Sequence, residues 1–416
     1  MLDALTHRSM TPVTSFRIEV TSDIGDLADC WPTTAEHGEA HCYPFQYADL
    51  LRIWCETIGR ARQIEPVFVA VRSHGQKPLM LLAFGIERTN GVRILSFLDG
   101  GVSDYNAPVL FPDVKGLRFD AADFWQRLQP HLPSYDLALL EKMPAEIDGI
   151  ANPLAPLATC NRPESCHHVT LQGEWKEFEA KKIPSLRDSR RRQRNLEKRA
   201  NIRFSIADTH QERQRVFDAL VRMKRKRFAD TAAHDIFADP GYLQFYADAT
   251  RKLGPGGAVQ VSALYAGDRV IAANWGLYSN GHYIDLVPGY EAGEWRPFAP
   301  GRLLAEWLLR QHLERGDTVF DYGIGDEPYK FGYCDQHSLL GDAYLPVTAK
   351  GIAYNRLLQL QLAAKAKLRE TRIGPALKAA RSLISRITQS RTAPVLGDTA
   401  PAWVALIGSV SLAIDV

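Results

Sequence analysis

The chain has 416 residues, of which 45% are hydrophobic, 24% charged and 10% aromatic. This composition excludes a disordered, collagen-like or coiled-coil chain, and the length predicts two or three domains that each bury a core. The formal net charge of +2 conceals an uneven distribution, because residues 1–150 hold 13 Lys and Arg against 20 Asp and Glu.

The six cysteines are scattered without a Cys-x-x-Cys pair, so they predict neither a disulfide scaffold nor a zinc site. Cys160, Cys166, His167 and His168 superficially resemble a metal cluster, but their spacing fits no common zinc pattern, and we expect no metal. The N-terminus lacks the apolar run of a secretory signal. The largely apolar stretch of 13 residues that ends at Ile414 is shorter than the ~20 residues needed to span a bilayer. We therefore expect a cytoplasmic, reduced protein.

After a flexible N-terminus, residues 1–13, the first domain is predicted to occupy residues 14–150. Runs of β-branched and aromatic residues bounded by turn signals predict strands at Phe16–Val20, Pro66–Val71, Leu79–Ile86, Val92–Leu98 and Leu137–Glu141. Helices are predicted at Tyr47–Thr57 and Ala121–Leu128. This mixture indicates an α+β domain, and the proline-rich residues 151–168 indicate a connector.

The second domain is predicted to occupy residues 169–349 and to be of the α/β type. Its predicted helices are Trp175–Lys182, Leu186–Ala200, Gln211–Arg227, Pro240–Lys252 and Gly301–Arg315. Its predicted strands are Val169–Leu171, Ala258–Tyr265, Arg269–Tyr278, Gly281–Leu286, Val319–Tyr322 and Ala343–Val347. Residues 350–391, with 10 basic residues and one acid, predict basic amphipathic helices, and residues 392–416 a poorly ordered tail.

Pro300 and Gly301 open the last long helix of the second domain. The N-terminus of a helix presents unpaired N–H groups and a partial positive charge, so it suits a phosphate, and Arg302 would add a cation. Simple helix initiation by a proline accounts for the same pattern. A phosphate site and an ordinary helix start therefore both remain open.

The segment after the next predicted strand concentrates ionisable groups at a glycine-rich turn. Asp321, Asp326, Tyr329 and Lys330 lie within ten residues and could supply a general acid and a general base. The C-terminal end of a strand is where α/β domains often place ligands. A solvated polar loop with a lysine–carboxylate pair is the alternative interpretation.

In four of its segments the second domain resembles the GNAT acyltransferase superfamily, and within it the CelD-like branch, named for cellulose biosynthesis and related to the FemABX peptidyltransferases. The resemblance covers roughly residues 170–345. The matching segments are the arginine-rich helix Ser185–Phe204, the hairpin Ala263–Leu286, the helix Ala299–Gly316, and the strand with its Gly-x-x-x-Tyr-Lys ending, Phe320–Tyr333. Their common order is more specific than any one of them.

The resemblance implies tandem GNAT-like domains with mixed central sheets flanked by helices, the N-terminal domain being degenerate, followed by the basic C-terminal helices. It implies acetyl-CoA or another acyl-CoA as co-substrate, with its pyrophosphate on the helix N-terminus. The residues expected to bind it are Phe298, Pro300, Gly301, Arg302 and Leu303. In place of the usual Gln/Arg-x-x-Gly-x-Gly/Ala loop, this chain has a single glycine after Arg296.

The expected chemistry is acyl transfer to an amine or hydroxyl of a sugar or polysaccharide intermediate, in cellulose or exopolysaccharide biosynthesis. Asp321 or Asp326 is the expected base, Tyr329 the acid or a positioning group, and Lys330 the contact for an anionic group. Asp285 and Tyr290, on the strand before the helix, are expected to bind substrate. An aminoacyl-tRNA donor, as in FemABX proteins, and a non-catalytic accessory role are the alternatives.

The basic segments favour anionic partners without identifying them. Residues 181–203 hold 10 Lys and Arg against two acids, and from this run Arg190 and Arg194 are expected to contact substrate. A solvated helix face is an equally simple interpretation. No helix-turn-helix, RNP-like or zinc-finger pattern is present, so nucleic acid is not the expected partner. The basic C-terminal helices could contact the inner face of a membrane, or could pack on the protein.

Overall fold

The computed structural model describes residues 16–116 and 120–370. The predicted flexible N-terminus (1–13), the second part of the basic C-terminal region (371–391) and the tail (392–416) lie outside the described residues. The described strands are β1 Arg17–Thr21, β2 Glu65–Arg72, β3 Pro78–Thr89, β4 Val92–Phe97, β5 Val109–Leu110, β6 Leu137–Met143, β7 Glu146–Ile147, β8 Ile150–Ala151, β9 Cys160–Thr170, β10 Ile202–Ile206, β11 Val259–Ala266, β12 Arg269–Ser279, β13 His282–Tyr290, β14 Val319–Ile324 and β15 Gln336–Pro346.

The α-helices belong to both halves of the chain and lie between groups of strands or after the last strand. They are α1 Ala48–Trp54, α2 Ala121–Leu128, α3 Trp175–Lys182, α4 Leu186–Arg199, α5 His210–Thr231, α6 Tyr242–Leu253, α7 Pro300–Arg315, α8 Lys330–Tyr333 and α9 Ala349–Glu370. The described residues divide into two compact units. Unit 1 consists of the residues up to Cys166 together with Ser338–Ile352, and unit 2 of His167–His337 together with the residues from Ala353.

Unit 1 is a mixed sheet with the strand order β1-β2-β3-β4-β6-β15. Strands β1 to β4 are antiparallel neighbours, β4 and β6 run parallel, and β15 pairs antiparallel with β6. Asn90 and Gly91, both with positive φ, form the tight turn between β3 and β4, as the Asn-Gly pair predicts. Phe124, Trp125 and Leu128 of α2 belong to the core that the strands build.

Unit 2 repeats this plan. Its strand order is β10-β11-β12-β13-β14-β9, in which β10 to β13 are antiparallel and β13 runs parallel to β14. Helices α5 and α7 both pack on β12 and β13. Leu303, Leu304 and Leu308 of α7 are buried in the core of this unit. In both units a helix joins the two parallel strands, which confirms the predicted mixed α/β architecture of sheets flanked by helices.

Most elements lie where the residue pattern predicts them, and α2 and α3 match to the residue. The main difference is β9, since residues 160–168 fall in the stretch interpreted as a connector. Pro163 and the polar residues around it obscure a strand in the sequence, because proline cannot donate to a sheet ladder. A second difference concerns residues 338–349, which the sequence assigns to the second domain and the fold places in unit 1, where β15 pairs with β6.

Candidate active site

The parallel strands β13 and β14 separate at Asp285. They pair from His282 to Ile284, and the last pair joins Ile284 to Asp321. Beyond it, in the described structure, β13 pairs only with β12. The β13 edge that turns away from β12 thus offers backbone N–H and C=O groups without a strand partner, and such groups can hold a substrate.

A bulge in the neighbouring pair fixes the position of this opening. The register of β12 and β13 shifts between Trp275 and Gly276, opposite Asp285. A side chain at Gly276 would have its Cβ 2.4 Å from the Tyr283 hydroxyl oxygen, so only glycine leaves room for that ring. The small residue and the irregular register together bring three polar side chains into the buried sheet.

These three side chains form a hydrogen-bonded chain that ends on Asp285. The hydroxyl of Tyr283 donates to Oδ1 of Asn274 at 2.6 Å, and Nδ2 of Asn274 donates to Oδ1 of Asp285. All three residues are buried. Burial raises the pKa of Asp285 to about 6, against the opposing effects of the Asn274 hydrogen bond and the Lys330 and Lys224 charges. Asp285 can therefore exchange a proton close to neutral pH.

Lys330 is buried and closes the loop that follows β14. Its ammonium donates to the carbonyl oxygen of Ile324 at 2.8 Å and lies 3.0 Å from the carboxylate of Glu327. The same charge acts on Asp285. Lys330 is thus engaged with its own loop, whereas the sequence suggests a contact with an anionic substrate.

Asp321 and Asp326, the two carboxylates expected to act as base, are both hydrogen-bonded to neighbouring groups. Asp321 is only 1% exposed; Oδ1 accepts from the N–H of Gly323 at 2.7 Å and Oδ2 lies 3.2 Å from Nε2 of His282. Asp326 lies 2.8 Å from Nε2 of the buried His167. Both contacts shape the turn that follows β14.

Tyr329 follows β14 and interacts electrostatically with Asp285. Its side chain is 48% exposed, and its ring packs edge-on against Tyr322, with the centroids 6.0 Å apart. Burial of the hydroxyl raises the pKa of Tyr329, and the charge of Asp285 raises it further. Tyr329 consequently keeps its proton at neutral pH.

The N-terminus of α7 has no capping side chain. Ala299 precedes the helix in a left-handed conformation, with φ of 50°, and Pro300 is the buried first residue. The first hydrogen bond within the helix runs from the N–H of Leu303 to the carbonyl of Ala299 at 3.1 Å, so the N–H groups of Gly301 and Arg302 precede it. Phe298 ends the 3₁₀ turn before the helix.

The corresponding helix of unit 1 differs at this point. Its N-cap, Asp120, accepts hydrogen bonds from the N–H groups of Ala122 and Asp123 at 2.7 and 3.4 Å. A carboxylate therefore occupies the place that an anionic ligand would take at α2. Of the two corresponding helices, only α7 leaves that place open to a ligand.

The side chain of Arg302 makes hydrogen bonds within the protein and not with a ligand at the open N-terminus of α7. Its guanidinium donates to the carbonyl of Pro184 and, at 2.8 Å, to Oε1 of Glu306. The same oxygen accepts from Ser189 at 2.8 Å and from Tyr333 at 2.6 Å. Glu306 thereby joins α4, α7 and α8.

The remaining predicted contacts lie apart from Asp285. The ring of Tyr290 lies against Gly301, where an added Cβ would be 3.1 Å from Cδ1 of the tyrosine. Arg190 pairs with Glu179 on the surface. Arg194 is exposed on α4, without a hydrogen-bond or ion-pair partner among the described residues.

The sequence does not predict three polar residues of this region as site residues. Asn274 is the one amide within the apolar run of β12, and that isolation is the signal that could have identified it. Lys224 is hidden in a basic run of α5, although burial, followed by the charge of Arg227, lowers its pKa to about 8. His167 belongs to the Cys/His group whose spacing fits no common zinc pattern.

Three further findings concern the described residues as a whole. They contain no group of three or more His, Cys, Asp or Glu placed to hold a metal ion. Within the same ranges, each helix is too short or too polar to cross a membrane. All six cysteines are free thiols.

The comparisons with known proteins concern the second unit and the fold. Residues 185–331 match the family model described as an acetyltransferase (GNAT) domain. The chain matches no curated protein. The crystal structure of FemX has a TM-score of 0.51 and 8% identity, covering 76% of this chain and 94% of that chain.

Two other structures are similar at lower scores. A conserved protein of unknown function from Bacteroides thetaiotaomicron has a TM-score of 0.47 and 10% identity over 71% of this chain and 90% of its own. A tandem GNAT protein from the clavulanic acid biosynthesis pathway has a TM-score of 0.42 and 11% identity over 80% and 98%. At such identities FemX shows a shared fold alone. Residues 185–331 therefore match the acetyltransferase (GNAT) domain model, and they lie in a chain that shares its fold with FemX.

Proposed function

We propose that the protein transfers an acetyl or other acyl group from acyl-CoA to an amine or hydroxyl of a sugar or polysaccharide intermediate. The observation that carries the proposal is the uncapped N-terminus of α7 in a domain that matches the GNAT family model. The polysaccharide context rests on the resemblance of four segments to the CelD-like branch.

The donor would enter where β13 and β14 diverge. The N–H groups of Gly301 and Arg302 would receive its pyrophosphate, since a helix N-terminus favours anions. Phe298, Pro300 and Leu303 would shape this end of the site. The unpaired edge of β13 beyond Asp285 would hold the acyl carbonyl against a backbone N–H.

Asp285 is the base that we propose. Nucleophilic attack forms the bond between the acceptor nitrogen or oxygen and the acyl carbon and breaks the carbon–sulfur bond. The acceptor's proton passes to Asp285, and the departing thiolate takes a proton from Tyr329. Asp285 then releases its proton to solvent, and Tyr329 regains one from solvent. A base with a pKa of about 6 is mostly ionised at neutral pH and still strong enough to assist the attack.

The other predicted residues would act by holding the site in shape. Asp321 fixes Gly323, Asp326 is tied to His167, and Lys330 ties its loop to the carbonyl of Ile324. Lys330 also lowers the pKa of Asp285, which limits the rise that burial causes. These residues are positioning residues in this proposal.

An aminoacyl-tRNA donor is the second candidate, because FemABX proteins use one and FemX shares the fold. Arg187, Arg194 and Lys198 lie exposed on α4 without ion-pair partners in the described part of the chain, and they would suit a phosphate backbone. A non-catalytic role in exopolysaccharide synthesis would leave both donors unused.

Contact with the inner face of a membrane is a further part of the proposal. Ile352, Leu357, Leu360 and Leu362 of α9 are exposed, with Arg356 and Lys367 on the same helix. Replacing Leu357 and Leu360 by Asp in the full chain should weaken co-sedimentation with anionic liposomes. Equal co-sedimentation of both proteins would reject the contact.

Release of free thiol from acetyl-CoA tests the enzymatic proposal, with amino sugars and polysaccharide fragments as acceptors. We expect acceptor-dependent release that disappears in Asp285→Asn. Release from neither acetyl-CoA nor longer acyl-CoAs, together with transfer from a charged tRNA, would establish the second candidate instead. No transfer from any of these donors would favour the accessory role.

A further inference from the structure

A cleft of about 360 Å³ lies beside the loop that joins β13 to α7. It is bounded by the C-terminal half of α5, by the start of β12 and by residues 290–296. Five cationic side chains line it against two carboxylates: Arg222, Lys226, Arg227, Arg269 and Arg296 face Asp230 and Glu291. Its volume is within the range of small-molecule sites.

Most of these cations have no acidic partner. Arg269 pairs with Glu291, but the side chains of Arg222, Lys226 and Arg296 have neither a hydrogen bond nor an ion pair within the described ranges. Arg227 donates to the hydroxyl of Tyr290 at 3.3 Å. Five cations against two carboxylates leave the cleft with an excess of positive charge, so an anion entering it would be attracted.

Tyr290 separates this cleft from the open end of α7. Its ring lies against Gly301, and its hydroxyl accepts a hydrogen bond from Arg227. The cleft is therefore a second place for an anion, next to the one that the proposed function assigns to the pyrophosphate of the donor. Lys224, one turn before Arg227 on α5, acts electrostatically on Asp285, so α5 connects the cleft to the proposed base.

We propose that the cleft binds a phosphate or diphosphate group carried by the acceptor. The inference rests on the proposed function, which assigns the N-terminus of α7 to the pyrophosphate of the donor. Guanidinium and ammonium groups on three sides suit a phosphate ester, and neither a neutral sugar nor an uncharged amine would need them. The acceptor class is accordingly a phosphorylated or diphosphate-linked sugar.

Calorimetric titration with inorganic pyrophosphate, in the presence of saturating CoA, tests the site in the full chain. The test variant is Arg222→Gln with Lys226→Gln, and the matched control is Arg88→Gln with Lys77→Gln, which removes the same charges from exposed positions of unit 1. We expect wild type to bind, the control to stay within about twofold, and the test variant to lose about tenfold in affinity. Equal affinities in all three, or no binding by wild type, would overturn the site.

Donor titrations distinguish the source of the phosphate. If the acceptor supplies it, the test variant binds CoA and 3′-dephospho-CoA as wild type does. If the test variant loses affinity for CoA but not for 3′-dephospho-CoA, the cleft binds the 3′-phosphate of the donor. That result would overturn the acceptor proposal. If wild type binds pyrophosphate but no CoA, the proposed donor fails while the anion site stands.

Discussion

Nδ2 of Asn274 donates a hydrogen bond to Oδ1 of Asp285, immediately beyond the last residue pair between β13 and β14. The orientation of the amide is fixed, because its Oδ1 accepts from the hydroxyl of Tyr283 at 2.6 Å. Only one oxygen of Asp285 is used, and the other has no hydrogen-bond partner among the described residues. The carboxylate is held in place with one oxygen left to take a proton.

Asp285→Asn should lower kcat/KM by at least about 100-fold, since general-base catalysis contributes that much or more. In wild type, kcat/KM should rise with pH and reach half its maximum near pH 6, because the base works only when ionised. Asp326→Asn, the same change at a carboxylate that binds His167, should cost less. Steady-state kinetics between pH 5 and 8 measure both, and a greater loss in Asp326→Asn would assign the base to Asp326.

The same substitution should stabilise the protein at alkaline pH. The pKa of Asp285 is higher in the folded than in the unfolded protein. The wild-type protein therefore loses stability as pH rises from the unfolded pKa to the folded pKa, and the loss persists above pH 6. Asparagine carries no charge, so the stability of Asp285→Asn relative to wild type should increase by roughly 2–3 kcal/mol between pH 4 and pH 8. Urea unfolding at the two pH values measures it, and a pH-independent difference would contradict the buried charge.

Tyr329→Phe should lower kcat about tenfold or more and leave the affinity for acyl-CoA unchanged, because the hydroxyl is asked only to protonate the leaving thiolate. Tyr322→Phe is the matched comparison. The Tyr322 hydroxyl is buried without a hydrogen-bond partner in the described structure, so its removal should be neutral or stabilising. Equal kinetic losses in the two variants would show that the ring environment, and not the Tyr329 proton, is what matters.

Glu306→Gln should destabilise the protein by about 2–4 kcal/mol, because one buried carboxylate oxygen accepts from Ser189, Arg302 and Tyr333. Glu314→Gln on the same helix removes an exposed pair with Arg310 and should cost no more than about 0.5 kcal/mol. Chemical denaturation of both variants compares them. Similar small losses would mean that Glu306 is not the joint between α4, α7 and α8.

Much of the fold is readable from the residues because the signals are local. Asn90-Gly91 specifies its hairpin turn, and the leucine spacing of α7 specifies its buried face. Strand β15 shows the limit, since its pairing with β6 joins residues about 200 positions apart and leaves no local mark. Strand β9 is also specified by partners distant in sequence, and Pro163 disturbs the local pattern that would otherwise predict a strand.

The candidate site is readable in part. The segment from Asp285 to Lys330 carries the reactive groups in sequence, and β13, α7 and β14 gather them in unit 2. Which carboxylate is available depends on contacts that sequence does not show, such as Gly323 on Asp321 and His167 on Asp326. The role of Asn274 follows only from the bulge that sets it beside Asp285.

Calorimetric titration with acetyl-CoA measures whether the open N-terminus of α7 receives the phosphate of the donor. We expect wild type to bind and Gly301→Ala to bind somewhat less tightly, since its Cβ would press on Tyr290. Gly301→Asp should bind about tenfold more weakly than Gly301→Ala, because a carboxylate in the first turn repels phosphate. Its stability should be no lower than that of Gly301→Ala, because the same carboxylate interacts favourably with the helix dipole. Equal affinity of the Ala and Asp variants, or no binding by wild type, would contradict a donor phosphate at this helix end.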